Sequence, residues 1–260
     1  MWINPIALQL GPIAIHWYGI MYALTFIIGY FLFQKSWIGA HLKLSSNQKD
    51  NLLIAIIAGV LIGGRFGYIL FYNLPYYLQN PLKTLSVWEG GMSFHGGLLG
   101  VLLAIYLFAK KNKVPLLLLT DTTAIITPIG ILLGRLGNFI NGELYGRITN
   151  SFCFNFPTDP LNCRYPSQLF EAAFEGLILF LILYFYAKKL FKKTPTQNGV
   201  ITSLFLIFYG IFRFIIEFFR EPDQQIGYIL NIFTQGQILC IPAIVAGTIL
   251  YFASKKSSSS

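Results

Sequence analysis

The sequence predicts an all-α integral membrane protein: a seven-span helical bundle with its N-terminus outside, its C-terminus cytoplasmic and a polar extracytoplasmic region. Three observations predict it. Of the 260 residues, 55% are hydrophobic and only 11% are charged, whereas a soluble domain carries about a quarter charged residues. Seven apolar stretches each approach the roughly 20 residues that a bilayer core requires. Lysine and arginine are sorted to different sides. The length suits one compact membrane-embedded domain, 1–260, with its polar region at about 135–166. The net charge of +9 would suggest nucleic acid in a soluble protein. Sorted as it is, the charge reads as a topology signal with some attraction to anionic lipid, and no nucleic-acid partner is expected.

The spans fall at approximately 14–34, 51–73, 95–110, 115–134, 167–187, 199–219 and 236–253. The first begins at Ile15-His16-Trp17-Tyr18, an amphipathic belt at an interface. It reads on as a full span without an A-x-A-like site, so no cleavable signal is expected. The second carries Gly59, Gly63, Gly64 and Gly67, small residues that let helices approach closely, with Arg65 among them. Gly90-Gly91-Met92-Ser93-Phe94-His95-Gly96-Gly97 precedes the third. Four glycines around a histidine suggest a short re-entrant loop lining a cavity. His95 is then a candidate acid–base group; an interfacial histidine held by a hydrogen bond is the plainer alternative.

The charges set the orientation. The loops after the first, third and fifth spans hold Lys35, Lys43, Lys49, Lys110, Lys111, Lys113, Lys188, Lys189, Lys192 and Lys193, and the tail adds Lys255 and Lys256. The other side has only Lys83 among the lysines. The positive-inside rule therefore puts the N-terminus outside, and an odd span count agrees. Arginine behaves differently: Arg135, Arg147, Arg164 and Arg220 sit on the outer side, while Arg65 and Arg213 fall within spans. Arginine suits bidentate phosphate binding and stays charged when partly buried. An outward arginine cluster that opposes the topology rule suggests a phosphate-bearing ligand. Structural neutralisation by Glu143, Glu171 and Glu217 is the blander reading, and both are expected to hold in part.

The stretch Gly134–Thr149, GRLGNFINGELYGRIT, concentrates Arg135, Asn138, Asn141, Glu143 and Arg147 beside apolar segments. Polar groups at membrane depth are costly and are usually retained for a task. Its glycines at 134, 137, 142 and 146 are expected to break a long helix. Arg164–Glu171 resembles a helix start, with Ser167 as the cap and with Gln168 and Glu171 turned inward. Tyr209, Arg213, Glu217 and Arg220 share one helix face, and a charged stripe must face the bundle interior. It ends at the turn Glu221-Pro222-Asp223.

Three cysteines remain. Cys240 lies in an apolar run and reads as inert packing. Cys153 and Cys163 flank a polar loop and would pair only in an oxidising compartment; proximity in sequence leaves this open. Neither has metal-ligand spacing, so no metal site is expected. The SSSS tail reads as a disordered end or an appended remnant. A transporter or anion channel would also carry polar residues and glycine breaks within spans, but no inverted repeat is visible. A lipid-binding scaffold would account for the arginines and not for the His95 loop.

At family level, HWYG at 16–19, GGRFGYILFYN at 63–73, GGMSFHGGLLG at 90–100, GRLGNFINGELYGRIT at 134–149, RYPSQLFEA at 164–172 and YGIFRFIIEFFREPD at 209–223 resemble the bacterial prolipoprotein diacylglyceryl transferases nearly end to end. Tyr165 stands where the family commonly has histidine, and Phe170 where tyrosine is usual; little consequence is expected from either. The resemblance implies transfer of diacylglyceryl from phosphatidylglycerol to the lipobox cysteine thiol of a prolipoprotein in the bacterial inner membrane, on its outer face. The nucleophile would come from the partner, and no cofactor is implied. Carried over by motif, the catalytic positions would be His95, Arg135, Glu143 and Arg213. Phosphatidylglycerol would be bound by Tyr18, Arg135, Asn138, Gly146, Tyr209 and Arg213. Arg65, Glu217 and Arg220 lie in matching motifs without a settled role.

Overall fold

A computed structural model describes residues 2–11, 13–86, 90–193, 198–222, 228–229 and 233–256. The serine tail and Asp223 of the last motif lie outside the described residues. In chain order the elements are β1 (Ile6–Leu10), β2 (Ile13–His16), α1 (Trp17–Lys35), α2 (Trp37–Ala40), α3 (Ser46–Tyr72), α4 (Leu74–Gln79), a 3-10 turn (Pro81–Leu85), α5 (Phe94–Asn112) and α6 (Leu116–Asn141). They continue with β3 (Phe154–Phe156), β4 (Asp159–Arg164), α7 (Ser167–Glu171), a π-helical turn (Ala172–Ile178), α8 (Leu179–Lys193), α9 (Val200–Ile216), β5 (Tyr228–Ile229), β6 (Phe233–Thr234) and α10 (Gln235–Lys256). Among the described residues the strands form three separate antiparallel pairs, β1–β2, β3–β4 and β5–β6.

Among the described residues, six helical runs are long and apolar enough to cross a membrane: Trp17–Lys35, Ser46–Tyr72, Phe94–Asn112, Leu116–Asn141, Ser167–Lys192 and Gln235–Lys256. The chain is a multi-pass membrane protein. A shorter apolar helix, Val200–Ile216, is 17 residues long. Large side chains such as Phe71, Leu103, Phe185 and Phe252 stay exposed on these helices, as expected where the solvent is hydrocarbon.

The chain divides into two compact units, Phe33–Thr120 and Met1–Leu32 with Asp121–Ser260. In the first, a capping box formed by Ser45 and Gln48 starts α3. Glycines then bring α3 and α5 into backbone contact. A Cβ on Gly100 would lie 2.1 Å from the Gly59 carbonyl oxygen, and one on Gly63 would lie 2.4 Å from that of Gly96. The GGMSFHGG segment is irregular over Gly90–Ser93 and helical from Phe94 on. Gly90 and Gly91, at φ +83° and +77°, make the turn. Ser93 accepts a hydrogen bond from Gly96 N–H and caps α5, and His95, Gly96 and Gly97 are helical.

In the second unit α6 runs unbroken through Gly134 and Gly137 to Asn141. Only Gly142, at φ +67°, ends it, so the expected break lies later than the glycine pattern implied. The tighter need at Gly137 is space: a Cβ there would meet the Tyr18 ring at 2.8 Å. The polar segment after α6 folds back on it through aromatic packing. Trp2, Phe139 and Tyr145 surround the fully buried Phe156, and the Trp2 indole donates to the Ile140 carbonyl at 2.9 Å. A disulfide joins Cys153 to Cys163 across β3–β4, settling the pairing that spacing left open.

Ser167 does not cap α7. Pro166 holds the cap position, and the Ser167 hydroxyl donates to the Leu144 carbonyl at 3.2 Å. Gln168 and Glu171 are fully buried. The π-helical turn packs Gly176 onto α6 so closely that a Cβ would sit 2.8 Å from Leu132 Cα. At the start of α9, the buried Asp121 accepts hydrogen bonds from Gly199 N–H, Thr202 N–H and the Thr202 hydroxyl, each at 2.7 Å. A carboxylate at a helix N-terminus is favoured by the unpaired amides and by the dipole.

Candidate active site

Three guanidinium groups converge on one buried carboxylate. Glu171, 0% exposed, receives Arg135 Nε at 2.6 Å, Arg213 Nη1 at 2.6 Å and Arg220 Nη1 at 3.0 Å. Glu217 takes Arg213 Nη2 at 2.5 Å and faces Arg220 Nε at 3.8 Å. The Thr234 hydroxyl donates to Glu217 Oε2 at 2.7 Å. Such a cluster forms because an unpaired charge away from water is prohibitively costly, while pairing and hydrogen bonding recover most of that cost.

The network extends along the Gly134–Thr149 stretch. Arg135 Nη1 donates to Asn138 Oδ1 at 3.3 Å, and Asn138 Nδ2 donates to Glu143 Oε1 at 2.8 Å. Asn141 donates to the same oxygen at 3.2 Å, and Gln168 donates to the Glu143 carbonyl at 2.6 Å. Asn138 is buried, whereas Glu143 is exposed. Arg135, at 21%, is the most exposed of the three clustered arginine side chains.

Gly146 closes the far side. Its N–H donates to the Tyr165 carbonyl at 2.8 Å, and a Cβ would sit 2.4 Å from the Phe219 carbonyl oxygen. This position needs glycine for close backbone approach. Arg147 donates to the Arg220 and Glu217 carbonyls at 3.0 and 3.2 Å. Arg164 pairs with Asp159, bonds the Gly146 carbonyl at 3.2 Å and Glu221 at 3.0 Å, and lies over the Tyr145 ring. That hydrogen bond from Arg164 holds the Asp159 carboxyl below the usual carboxylate range.

Of the residues singled out by sequence, Arg135, Asn138, Glu143, Gly146 and Arg213 therefore occupy one continuous network in the second unit. Tyr18, in the first turn of α1, is half-buried, with its hydroxyl 3.3 Å from that of Tyr22. Tyr209 is half-buried one helical turn before Arg213 and stacks on Phe205. His95 belongs to the other unit, exposed in the first turn of α5. Arg65 there is buried.

Glu175 and Asp121, both buried, escaped the sequence reading. Glu175 is fully buried 3.6 Å from Arg213 Nη1, with no hydrogen-bond partner for either oxygen among the described residues. Its only signal was an acid inside an apolar run. Asp121 carried the same signal at the start of a span.

A family model described as prolipoprotein diacylglyceryl transferase matches residues 5–253. The chain is similar to the phosphatidylglycerol–prolipoprotein diacylglyceryl transferase of Rickettsia felis, 47% identical over 249 residues and 95% of each chain. It is likewise similar to the protein of that name from Rickettsia akari, 49% identical over 251 residues and 95% of each chain. The Rickettsia bellii protein matches at 47% over 95% of this chain and 94% of its own. With the match running through every motif of the arginine network, the chain belongs to the prolipoprotein diacylglyceryl transferase family.

Proposed function

We infer that this chain transfers the diacylglyceryl group of phosphatidylglycerol to the lipobox cysteine thiol of prolipoproteins, the first step of bacterial lipoprotein modification. The observation that carries the reading is the convergence of Arg135, Arg213 and Arg220 beside Asn138 and Glu143, in a chain related along its length to enzymes of that name.

The reaction is alkyl transfer to sulfur. A thiolate attacks the glyceryl carbon bonded to the phosphate oxygen. The carbon–oxygen bond breaks, a carbon–sulfur bond forms, and glycerol phosphate leaves with the bonding electron pair. Negative charge builds on that phosphate as the bond breaks. Guanidinium groups that grip it more tightly in the transition state than in the ground state lower the barrier. Arg135 and Arg213 take this role, and Tyr18, Asn138, Gly146 and Tyr209 shape and orient the headgroup site. His95 accepts the thiol proton, with Glu143 as the second choice; a positioned base of suitable pKa is the ordinary way to make a thiolate near neutral pH.

In the proposed topology, Val200–Ile216 is the seventh crossing, the N-terminus is outside, and the network faces the extracytoplasmic side of the inner membrane. The lysine distribution favours this. So does the disulfide in the polar segment, since disulfides persist in oxidising compartments. The deciding experiment mixes purified protein with phosphatidylglycerol vesicles and a lipobox peptide and follows the peptide's mass. Gain of a diacylglyceryl group is expected, together with release of glycerol phosphate. An unmodified peptide with folded protein would refute the reading. His95→Ala is expected to be inactive near neutral pH; substantial turnover would move the base to Glu143 or to water.

A further inference from the structure

Arg65 is buried in α3, and all of its N–H directions are spent on backbone carbonyls. Nε donates to Thr84 O at 3.0 Å, and Nη2 donates to Lys83 O at 2.6 Å and Ser86 O at 3.0 Å. Nη1 donates to Gly90 O at 2.5 Å and Gly91 O at 3.3 Å. The first three carbonyls end the Pro81–Leu85 turn; the other two belong to the left-handed glycine turn that leads into α5. A cation at such a terminus meets carbonyls that have no helical partner. The neighbouring Gly64 carbonyl accepts the Ser93 N–H at 2.8 Å. Ser93 in turn caps the turn containing His95 and Gly96, and Gly96 lies against Gly63 and Gly67. One planar guanidinium thus ties the chain on both sides of 87–89 to α3, four residues before His95. Lysine, a point charge on a flexible stem, has no fork with which to span these acceptors.

We propose that Arg65 is a positioning residue that sets where the His95 imidazole stands, by fixing the Gly90–Gly91 turn from which α5 starts. It touches no substrate. The proposal rests on His95 serving in the reaction.

The test compares purified wild-type protein with Arg65→Lys. kcat is expected to fall about tenfold or more with little change in the KM for phosphatidylglycerol, because a small misplacement of a reacting group is costly. The second readout is the rate of carbethoxylation at His95, read by mass spectrometry, with the exposed His16 as internal control. The rate at His95 is expected to change and that at His16 to stay constant. Gly91→Ala displaces the same turn from its other side, with the arginine side chain still present: its Cβ would sit 2.6 Å from the Tyr68 ring and 3.0 Å from Arg65 Nη1 at a φ of +77°. It should show the same pattern and serves if Arg65→Lys fails to fold. A kcat loss with unaltered labelling of His95, or altered labelling with wild-type kcat, overturns the proposal. Activity in His95→Ala with Arg65 intact would sink the catalytic reading instead, and the labelling result would still decide the positioning claim.

Discussion

Arg135 joins the two halves of its network, with Nε on Glu171 and Nη1 on Asn138. Replacing it with alanine leaves Glu171 with Arg213 and Arg220, so the fold should survive. If the arginine meets the leaving phosphate, the loss should resemble that of an oxyanion donor, about 3–4 kcal/mol of barrier. The peptide-mass assay would then show nearly complete loss, and normal turnover would remove Arg135 from the mechanism. Asp159 gives a pH handle outside the spans. Its carboxyl is held low by Arg164, so the pair's contribution is present above the ordinary carboxylate value of about 4 and is lost as pH falls through the depressed value. Melting in detergent should drop on that acid limb, and Asp159→Asn should flatten it. An identical acid limb in the variant would deny the pair any part in acid stability. The residues legible in sequence were charges stranded among apolar neighbours, such as Arg135 and Arg213. Arg65 was visible as a residue and not as a device, because its partners are main-chain carbonyls, which have no sequence signature. Glu175 reaches Arg213 only after α7–α8 and α9 pack, and no local spacing announces that.

At the scale of elements, glycine patterns located the helix crossing and misled about helix ends. Gly59, Gly63 and Gly67 were expected to admit a neighbour, and α5 meets them backbone to backbone. Of the glycines around His95, Gly90 and Gly91 lie in irregular backbone with positive φ, and Gly96 and Gly97 are helical. Gly96 and Gly100 are glycine for want of room. Gly100→Ala forces the two helices apart or strains them, since its new carbon would lie 2.1 Å from a carbonyl oxygen. A loss of about 1–3 kcal/mol is expected from such overpacking, read as a lower melting temperature in detergent. An unchanged melting temperature would mean that the crossing yields without cost.

At the scale of the whole molecule, six of the seven spans read from hydropathy correspond to helices long enough to cross a membrane, and the seventh is the shorter α9. The mismatch has a physical source. The charged stripe Arg213–Glu217–Arg220 is spent on the buried network where α9 ends, which shortens its apolar part. The disulfide belongs to this scale too, because it closes the hairpin that carries Arg164. Replacing Cys153, Cys163 and Cys240 together should retain transfer, since the partner supplies the reacting sulfur. The same variant should lose about 3 kcal/mol of stability on a chain-entropy account, read as a lower melting temperature. A dead but well-folded triple variant in the peptide-mass assay would contradict a partner-supplied thiol.

The wide turn at Ala172–Ile178 is the place where this helix can lose a residue without losing its register. Hydrogen bonds that reach five residues along hold one residue more than an α-helical turn does. Deleting Ala173 should let the turn tighten toward α-helix, with Glu171 still among its arginines and with Leu179 and Leu183, both fully buried, still facing inward. A deletion within α8, where each residue advances the azimuth by about 100°, would swing every side chain beyond it off its face.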